Sequence, residues 1–317
     1  MLVFLAMLSK RSPPESQLCP HVIITKEKKK GRVVCRFASD FSGIDTGYIA
    51  LTDLLPEVDH SFASDKNRAC QTILQRLHRP HTLYKDVRQR DVGNAERVHL
   101  YMSTAPCTPF SSSGKKDPAN HADSDLAVYA LKYVEYRQPN VVIMENVPQI
   151  TKVSGGTSVA GFIQSELENY GYVVYTKTID AQDYVPQRRN RWFLVAVRRD
   201  VARTTLVQKK RTNVNPFDDL VMPPEPREPR SLKHFIGPTP PDMFKMAPDH
   251  CELCKNTVEA ELQKQVRAGV NPFETTCVID AHSSCGWGAT GVGICPTLTR
   301  TRAGGFGFSC PPSLRRI

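Results

Sequence analysis

The sequence lacks the features of a secreted or membrane protein. No stretch of its 317 residues reaches the about 18 consecutive apolar positions that a membrane-spanning helix needs. The apolar start at 1–8 has no basic region before it, so we predict no signal peptide. The ten cysteines lack the short, regular spacings of a disulfide scaffold, which favours reduced thiols. These absences predict an intracellular protein, nuclear in a eukaryote and cytoplasmic in a bacterium or phage.

Acidic residues are fewer than basic ones, and this charge balance indicates what kind of molecule the protein binds. Forty-two Lys and Arg face 32 Asp and Glu, which gives a net charge of +10 and a pI near 9.1. Such an excess is typical of proteins that meet phosphate backbones, and a basic protein without that role is the alternative. Neither an internal repeat nor the phosphate-binding pattern G-x-x-x-x-G-K-[ST] is present.

Three segments differ in composition. Residues 1–32 carry the basic run K-E-K-K-K-G-R and are predicted to form a flexible arm. A solvated loop is the favoured interpretation of that run, ahead of a DNA contact or a nuclear address. Residues 33–200 alternate between strand and helix patterns, whereas 201–317 are rich in Pro, Gly, Ser and Thr and are predicted to be a loop-dominated recognition region.

The middle segment predicts an α/β fold with a doubly wound sheet. Its predicted strands are 32–41, Ser61–Ser64, Leu83–Val87, His99–Ser103, Val141–Met144, Val173–Ile179 and Arg191–Val197. Its predicted helices are Tyr48–Leu55, Arg68–Leu77, Asp125–Tyr136 and Gly161–Tyr170. Chemically active residues follow several of these strands, at the edge where such sheets place their sites.

Cys107 is the candidate nucleophile. It follows Pro106, whose fixed backbone dihedral directs the next side chain, in P-C-T-P-F-S. A thiol with an ordinary pKa of about 8.5 needs surroundings that favour the thiolate before it can attack. A lone cysteine is more often structural, but the flexible S-S-S-G-K-K that follows is typical of a loop that closes over a site.

Glu145 is the candidate proton donor. It leaves the apolar run V-V-I-M, and partial desolvation favours the protonated form of a carboxyl group. A glutamate that caps a neighbouring helix is the alternative. We expect Asn146 to hold the following loop through backbone hydrogen bonds.

Two arginines, Arg189 and Arg191, open the last predicted strand in Q-R-R-N-R-W-F-L. Alternate residues of a strand share a face, so both side chains are expected on one side of the sheet. The alternative is a pair of surface arginines with no role in a functional site.

A glycine-containing turn, F-S-G-I-D-T-G at 41–47, separates the first strand from the first helix. Glycine lets the backbone approach a ligand, and the start of a helix offers free N–H groups. Asp65 stands about 22 residues beyond the first glycine, near the spacing at which an acid reaches a ribose. Alone, such a turn is weak evidence for a cofactor.

Taken in order, these motifs resemble those of the DNA (cytosine-5) methyltransferases. The resemblance covers 33 to about 200 and returns in I-C-P-T-L-T-R-T-R-A-G-G at 294–305. The turn with Thr46-Gly47 is similar to that of the animal de novo enzymes, although Asp45 stands where the usual family form has glycine. The resemblance implies a Rossmann-like S-adenosylmethionine-dependent fold acting on double-stranded DNA.

It also implies roles for single residues. Cys107 would attack C6 of a flipped cytosine, Glu145 would act at N3, Arg191 would contact O2 and Arg189 would support the site or a phosphate. Asp65 would bind the ribose of S-adenosylmethionine and Asp86 its adenine amino group. The remaining cofactor-binding residues implied are Phe41, Gly43, Ile44, Thr46, Gly47, Val87 and Pro106.

The family continues with R-E-x-x-R-L-x-G-F-P and a final G-N-S-V-P helix, which have no counterpart before Ile317. We therefore expect weak activity from this chain alone, an exposed apolar face around Tyr48, Ile49 and Leu51, and a separate chain as one source of the missing motifs. A non-catalytic DNA- or cofactor-binding module is one rival function. A tRNA cytosine-5 methyltransferase is another, which the absence of that relative's C-F-T motif disfavours.

One group of residues resembles a metal site. Cys251 and Cys254 form a single C-x-x-C, with His250, Cys277, His282 and Cys285 nearby in the sequence. The spacing fits no common zinc finger, so dispersed reduced cysteines are the favoured interpretation, and no metal is predicted.

Overall fold

The computed structural model describes residues 28–29, 32–106, 126–154, 157–202, 251–271, 275, 277–284 and 287–295. Within these limits the chain forms two compact units. The first comprises the described residues up to 179 together with 190–202, and the second comprises 180–189 and the described residues from 251. None of the helices in these ranges is long and apolar enough to cross a membrane.

A seven-stranded sheet organises the first unit. Its strands are β1 (Cys35–Asp40), β2 (Val58–Ser64), β3 (Thr82–Tyr84), β4 (Leu100–Ser103), β5 (Val141–Asn146), β6 (Tyr172–Asp180) and β7 (Asn190–Arg198). Across the sheet the order is β6-β7-β5-β4-β1-β2-β3. Strands β3, β2, β1, β4 and β5 pair in parallel, and β7 is antiparallel to β5. The predicted doubly wound α/β fold is confirmed.

Helices alternate with these strands. They are α1 (Thr46–Leu54), α2 (Arg68–Ile73), α3 (Leu126–Arg137) and α4 (Val159–Asn169). Shorter elements are the 3-10 turns Val87–Gln89, Pro148–Thr151 and Ala181–Asp183, and the two-residue antiparallel pairs Lys28–Lys29 with Arg32–Val33 and Val153–Ser154 with Thr157–Ser158. The first of these pairs includes part of the basic run that was predicted to be a solvated loop.

The strand order reverses at β1, because the chain continues to β2 on one side and reaches β4 on the other. Open α/β sheets bind ligands beyond the carboxyl ends of the strands at such a switch point. The segments that follow β1, β2, β3 and β4 all begin at this edge, which is where the sequence places most of the candidate residues.

The strands of this sheet are buried on both faces, which explains why the sequence shows them as near-continuous apolar runs. Phe37, Phe62, Tyr101, Val142 and Leu194 are all at most 1% exposed. Helices α3 and α4 add their apolar sides to the same core. Near-continuous apolar strands are what parallel sheets covered by helices require.

Some predicted elements need correction. The predicted helix Arg68–Leu77 ends as an α-helix at Ile73 and continues as a π-helical turn, Leu74–His78. The predicted strand Leu83–Val87 ends at Tyr84, and Val87 opens a 3-10 turn.

The apolar face of α1 was predicted only in part. Ile49 is 41% exposed as expected, but Leu51 is buried against Phe37 and Met102. The helical turn therefore presents Leu51 to the sheet and Ile49 to the outside.

The second unit contains regular structure that the sequence analysis assigned to loops. Helix α5 (Cys251–Arg267) packs on an antiparallel pair, β8 (Cys277–Ser284) and β9 (Trp287–Val292). The Thr290 hydroxyl donates to Glu261 Oε2 at 2.8 Å, joining strand to helix. The prediction that the region beyond 200 is loop-dominated is thus wrong for these segments.

Candidate active site

The turn after β1 is tied to the residue that follows β2. Gly43 adopts φ +57°, which favours glycine, and its N–H donates to Asp65 Oδ2 at 2.7 Å. The other oxygen of Asp65 accepts from the Asn67 N–H at 2.7 Å. The sequence spacing therefore corresponds to direct contact: the predicted ribose acid orients the predicted cofactor turn.

Asp45 stabilises the turn by capping the first helix and hydrogen-bonding Ser39 on β1, a role that was not predicted from the sequence. It is buried, has φ 50°, and caps α1 by accepting from the Tyr48 N–H at 3.3 Å. Oδ2 also accepts from the Ser39 hydroxyl at 2.7 Å and lies 3.1 Å from His60 Nε2, at ion-pair distance but outside hydrogen-bond geometry. An Asp directly before a helix is a preferred N-cap, so its position was a usable signal.

Gly47 permits close contact between α1 and the sheet. A Cβ added there would lie 2.6 Å from Met102 Sδ on β4. Any larger residue would push the helix or the methionine aside. This glycine therefore serves helix packing, while Gly43 serves the turn.

Asp86 follows β3, as the candidate adenine ligand should. Its carboxylate caps the turn Val87–Gln89 by accepting from the Arg88 N–H at 3.0 Å and pairs with Arg88 Nη2 at 2.6 Å. The hydrogen bonds from Arg88 lower the pKa of Asp86 below its ordinary value, so the carboxylate is held ionised as an acceptor. Val87 itself is buried.

Asp86 lines an open polar depression of about 600 Å³. Its lining includes Lys66, Gln71, Gln75, Lys85 and Gln89. Amide, ammonium and carboxylate groups of this kind can hydrogen-bond a polar heterocycle or sugar.

The segment leading to Cys107 is anchored on two sides. The Thr104 N–H donates to the Asp40 carbonyl at 3.2 Å and its hydroxyl to the Phe41 carbonyl at 2.9 Å. From the other side, Asn146 Nδ2 donates to the Ala105 carbonyl at 3.4 Å. Cys107 lies outside the described residues, and the exposed Pro106 is the last described residue before it.

Asn146 also accepts from the Val147 N–H at 2.9 Å. Its predicted role of holding the loop through backbone hydrogen bonds is confirmed. Through its bond to the Ala105 carbonyl, Asn146 also joins the segment after β5, next to Glu145, directly to the segment that leads to Cys107.

Glu145 and Arg191 form an ion pair at the same edge. Arg191 Nε lies 2.9 Å from Glu145 Oε1, and their side chains are 15% and 14% exposed. Because β5 and β7 are antiparallel, the start of β7 meets the end of β5, with Trp192 opposite Asn146. Arg191 is therefore not a solvated surface arginine.

The helix-capping alternative for Glu145 fails for the turn that follows β5. That turn, Pro148–Thr151, begins after Val147 and has no side-chain cap. The Glu145 carboxylate instead engages Arg191.

Arg189 belongs to the second unit and precedes β7, which begins at Asn190. Its N–H donates to Asp180 Oδ1 at 3.0 Å, and its carbonyl accepts from the Ala181 N–H at 3.2 Å. Strand alternation therefore does not place it on one face with Arg191, as the sequence had suggested.

The cysteine and histidine group after residue 250 supplies no described metal site. His250 and Cys285 lie outside the described residues, and nothing is described of the side chains of Cys251, Cys254 and His282. Cys277 is buried, which raises the pKa of its thiol. Across the described ranges, no three His, Cys, Asp or Glu residues cluster so as to hold a metal ion.

The sheet order and the turns at its carboxyl edge define a Rossmann-like methyltransferase. Within that class, the model of the C-5 cytosine-specific DNA methylase family matches residues 35–263. This is well over half of the chain, and the chain belongs to that family.

Two bacterial proteins are among the characterised relatives. The chain is 25% identical to the type II methyltransferase M.BsuFI of Bacillus subtilis over 176 residues, which are 55% of this chain and 42% of the relative. It is 24% identical to M.HhaI of Haemophilus parahaemolyticus over 198 residues, 62% of this chain and 59% of the relative. The chain thus spans about half the length of these relatives.

Among solved structures, the Dnmt2 methyltransferase of S. pombe is 19% identical, with a TM-score of 0.43 over 52% of this chain and 51% of that one. A DNMT2 mutant from Spodoptera frugiperda is 17% identical, with a TM-score of 0.47 over 66% and 62%.

Proposed function

We propose that this protein transfers a methyl group from S-adenosylmethionine to C5 of cytosine in double-stranded DNA. The observation that carries the proposal is the Glu145–Arg191 ion pair, which stands at the same sheet edge as the Gly43–Asp65 turn. An acid and a base-binding cation thereby share one edge with a cofactor turn. Family membership supports the same reaction.

The target cytosine must leave the duplex, because C5 and C6 cannot be reached within the base stack. Once the base is flipped, its N3 and O2 lie on neighbouring ring positions. Two adjacent side chains, with Arg191 Nε 2.9 Å from Glu145 Oε1, suit this edge: Glu145, once protonated, would donate to N3 and Arg191 would hydrogen-bond O2. Arg189 is assigned a supporting contact or a backbone phosphate.

Cys107 supplies the nucleophile in this proposal. Its thiolate would add to C6 while Glu145 donates a proton or hydrogen bond to N3, so the ring electrons become available at C5. C5 would then take the methyl group as its bond to the sulfonium of S-adenosylmethionine breaks, leaving S-adenosylhomocysteine. Loss of the C5 proton to a base would expel the thiolate and restore the C5–C6 double bond, and any proton on N3 would return to Glu145. Covalent catalysis divides a difficult substitution into two easier steps.

The cofactor-binding residues fit S-adenosylmethionine in their chemistry. Asp65 offers a carboxylate beside the Gly43 turn for the ribose hydroxyls, and Asp86 offers an ionised carboxylate for the adenine amino group. Phe41, Ile44, Thr46 and Gly47 belong to the same 41–47 segment, and Val87 and Pro106 lie on the segments after β3 and β4. When bound, the cofactor supplies an electrophilic methyl group.

The proposed cellular setting follows from these substrates. The enzyme would act inside the cell, in the nucleus of a eukaryote or the cytoplasm of a bacterium or phage. Net charge +10 suits a DNA partner.

A methyl-transfer assay tests the proposal. Purified protein, with and without a segment carrying the remaining family motifs, is incubated with labelled S-adenosylmethionine and duplex DNA, and 5-methylcytosine is measured by mass spectrometry. We expect 5-methylcytosine from wild-type protein and none from Cys107→Ala. Cys70→Ala, which changes a half-buried cysteine on α2, is the matched control and should retain the activity.

The two rival functions give different results in this assay. Label that enters tRNA but not DNA would replace the DNA assignment. Cofactor and DNA binding without transfer, even with the added segment, would support a non-catalytic module.

A further inference from the structure

We propose that the buried ion pair between Asp40 and Arg90 is a positioning element that fixes the cofactor-binding and nucleophile-bearing segments relative to one another. The inference rests on the proposed function for its cofactor. The pair lies beneath the candidate site and includes none of the residues assigned to it above.

The geometry is that of a completely buried charge pair. Arg90 Nη1 lies 2.6 Å from Asp40 Oδ1, and both side chains are 0% exposed. The guanidinium carbon lies 4.8 Å from the Tyr133 ring centre and 5.0 Å from that of Phe62. In the described part of the chain, Arg90 Nε and Nη2 have no hydrogen-bond partner, so these ring faces are the surroundings of the cation.

Stability alone is a poor reason for such a pair. The cost of removing two charges from water often exceeds their attraction, and apolar replacements of similar volume are frequently as stable. A buried pair of this kind therefore calls for another explanation, and its contacts supply one.

The Asp40 carboxylate joins three elements besides its own strand. Oδ1 accepts from Arg90 and, at 2.7 Å, from the Ser64 hydroxyl at the end of β2. Oδ2 accepts from the Tyr101 hydroxyl on β4 at 2.5 Å. Burial and the neighbouring Asp40 raise the pKa of Tyr101 well above its ordinary value, so its hydroxyl remains a donor.

Each of these contacts adjoins a candidate site residue. Asp40 precedes Phe41 directly, and its carbonyl accepts from Thr104, three residues before Cys107. Ser64 precedes Asp65. Arg90 follows Asp86 by four residues and donates its N–H to the Val87 carbonyl at 3.3 Å. Through its carboxylate and its backbone carbonyl, Asp40 thus connects the proposed cofactor turn, the segments that carry both proposed cofactor acids and the nucleophile segment.

The test separates positioning from stability. Asp40→Asn and Arg90→Met, made singly, each leave a buried polar or charged group without its partner and should lower the unfolding midpoint. The double variant removes both charges and should recover most of that loss. Its affinity for S-adenosylmethionine, measured by calorimetry, should remain weaker than wild type by about tenfold or more, because small displacements of binding groups are costly.

A matched control is available at the opposite edge of the sheet. Arg198, at the far end of β7, pairs with Asp200 at 2.6 Å. Arg198→Met should lower stability without changing cofactor affinity. A double variant of the buried pair that binds the cofactor as tightly as wild type would overturn the proposal.

Amide hydrogen exchange provides a readout that needs no cofactor. The Gly43 and Asn67 N–H groups both donate hydrogen bonds to Asp65. They should exchange faster than in wild type in the Asp40→Asn/Arg90→Met double variant, and at the wild-type rate in Arg198→Met. Unchanged exchange in the double variant would also overturn the positioning role. If wild-type protein binds no S-adenosylmethionine, the proposed function fails while exchange still decides the role of the pair.

Discussion

The two halves of the candidate site are built differently. On the proposed cofactor side, the buried Asp45 caps the helix after the β1 turn, and the half-buried Asp65 accepts a hydrogen bond from the Gly43 N–H. On the base side, one partly exposed ion pair, Glu145 with Arg191, stands beside the exposed Pro106. The difference lies in the support: the proposed cofactor turn rests on a buried, hydrogen-bonded Asp45, whereas the proposed base-contacting groups hold each other through one ion pair.

This contrast has a physical reason. A buried polar group that is fully bonded is rigid, and rigid groups bind a ligand without further ordering cost. A flipped base must displace water and side-chain contacts as it enters, so its partners need access to solvent. The two halves should therefore respond separately to mutation.

The largest expected effect is on the base side. Glu145→Gln removes the proposed proton donor and should slow methyl transfer by about 10²–10⁴-fold, the usual range for a lost general acid. Cofactor affinity should stay within about twofold, because calorimetric error and remote effects are of that size. Equal losses of rate and cofactor affinity would show that the halves are not independent.

The next effect is on the cofactor side. Asp65→Ala and Asp86→Ala should each lower the affinity for S-adenosylmethionine by about ten- to a hundredfold, since a hydrogen bond to a charged acceptor contributes about 1.5–3 kcal/mol. Calorimetry measures this directly. Asp200→Ala, which removes an exposed acid at the far end of β7, is the matched control and should leave the affinity unchanged.

Loss of the cap on α1 should have a smaller effect. Asp45→Ala removes the acceptor for the Tyr48 N–H and for Ser39, and should lower the free energy of unfolding by about 0.5–2 kcal/mol. Denaturant titration measures the change. Asp45→Asn retains a capping oxygen and should cost less; equal losses from both variants would assign the effect to the charge near His60 instead.

The smallest expected effect depends on pH. The pKa of Asp86 is lowered in the folded protein, chiefly by hydrogen bonds from Arg88, so its stabilisation is present above the unfolded pKa and is lost as pH falls through the lowered folded value. Near pH 6 the free energy of unfolding of wild type should exceed that of Asp86→Asn by at most about 1 kcal/mol, as for other solvent-accessible ion pairs. The difference should begin to shrink below about pH 4 and should be lost as pH falls through the lowered folded pKa, so a difference that does not shrink below about pH 4 would contradict the assignment.

The sheet could be predicted from the sequence because its strands are short apolar runs between turn residues. Val141–Asn146 and Tyr172–Asp180 extend the predicted strands by one or two residues at their ends. Helix α5 was missed because the proline- and glycine-rich segments on either side dominated the local composition. Its apolar residues Val258, Leu262 and Val266 nevertheless recur at helical spacing.

The candidate residues could be identified from the sequence only in part. Asp65 was identifiable by its spacing from the glycine turn, Glu145 by its place after an apolar run, and Asp86 through the family resemblance alone. The Asp40–Arg90 pair was not, because 50 residues separate its members and only the folded sheet brings them together. The role of Asp45 was obscured because a family comparison at that position points to glycine, while the capping chemistry points to Asp.

The central claim is that Cys107 attacks C6 of a cytosine, and covalent trapping tests it most directly. Duplex DNA containing 5-fluorocytosine is incubated with S-adenosylmethionine and protein, supplemented with the remaining family motifs where turnover requires them. Because fluorine at C5 blocks the final elimination, wild-type protein should form a stable protein–DNA adduct that survives denaturing electrophoresis. Cys107→Ala should form none, and an undiminished adduct from that variant would contradict the account.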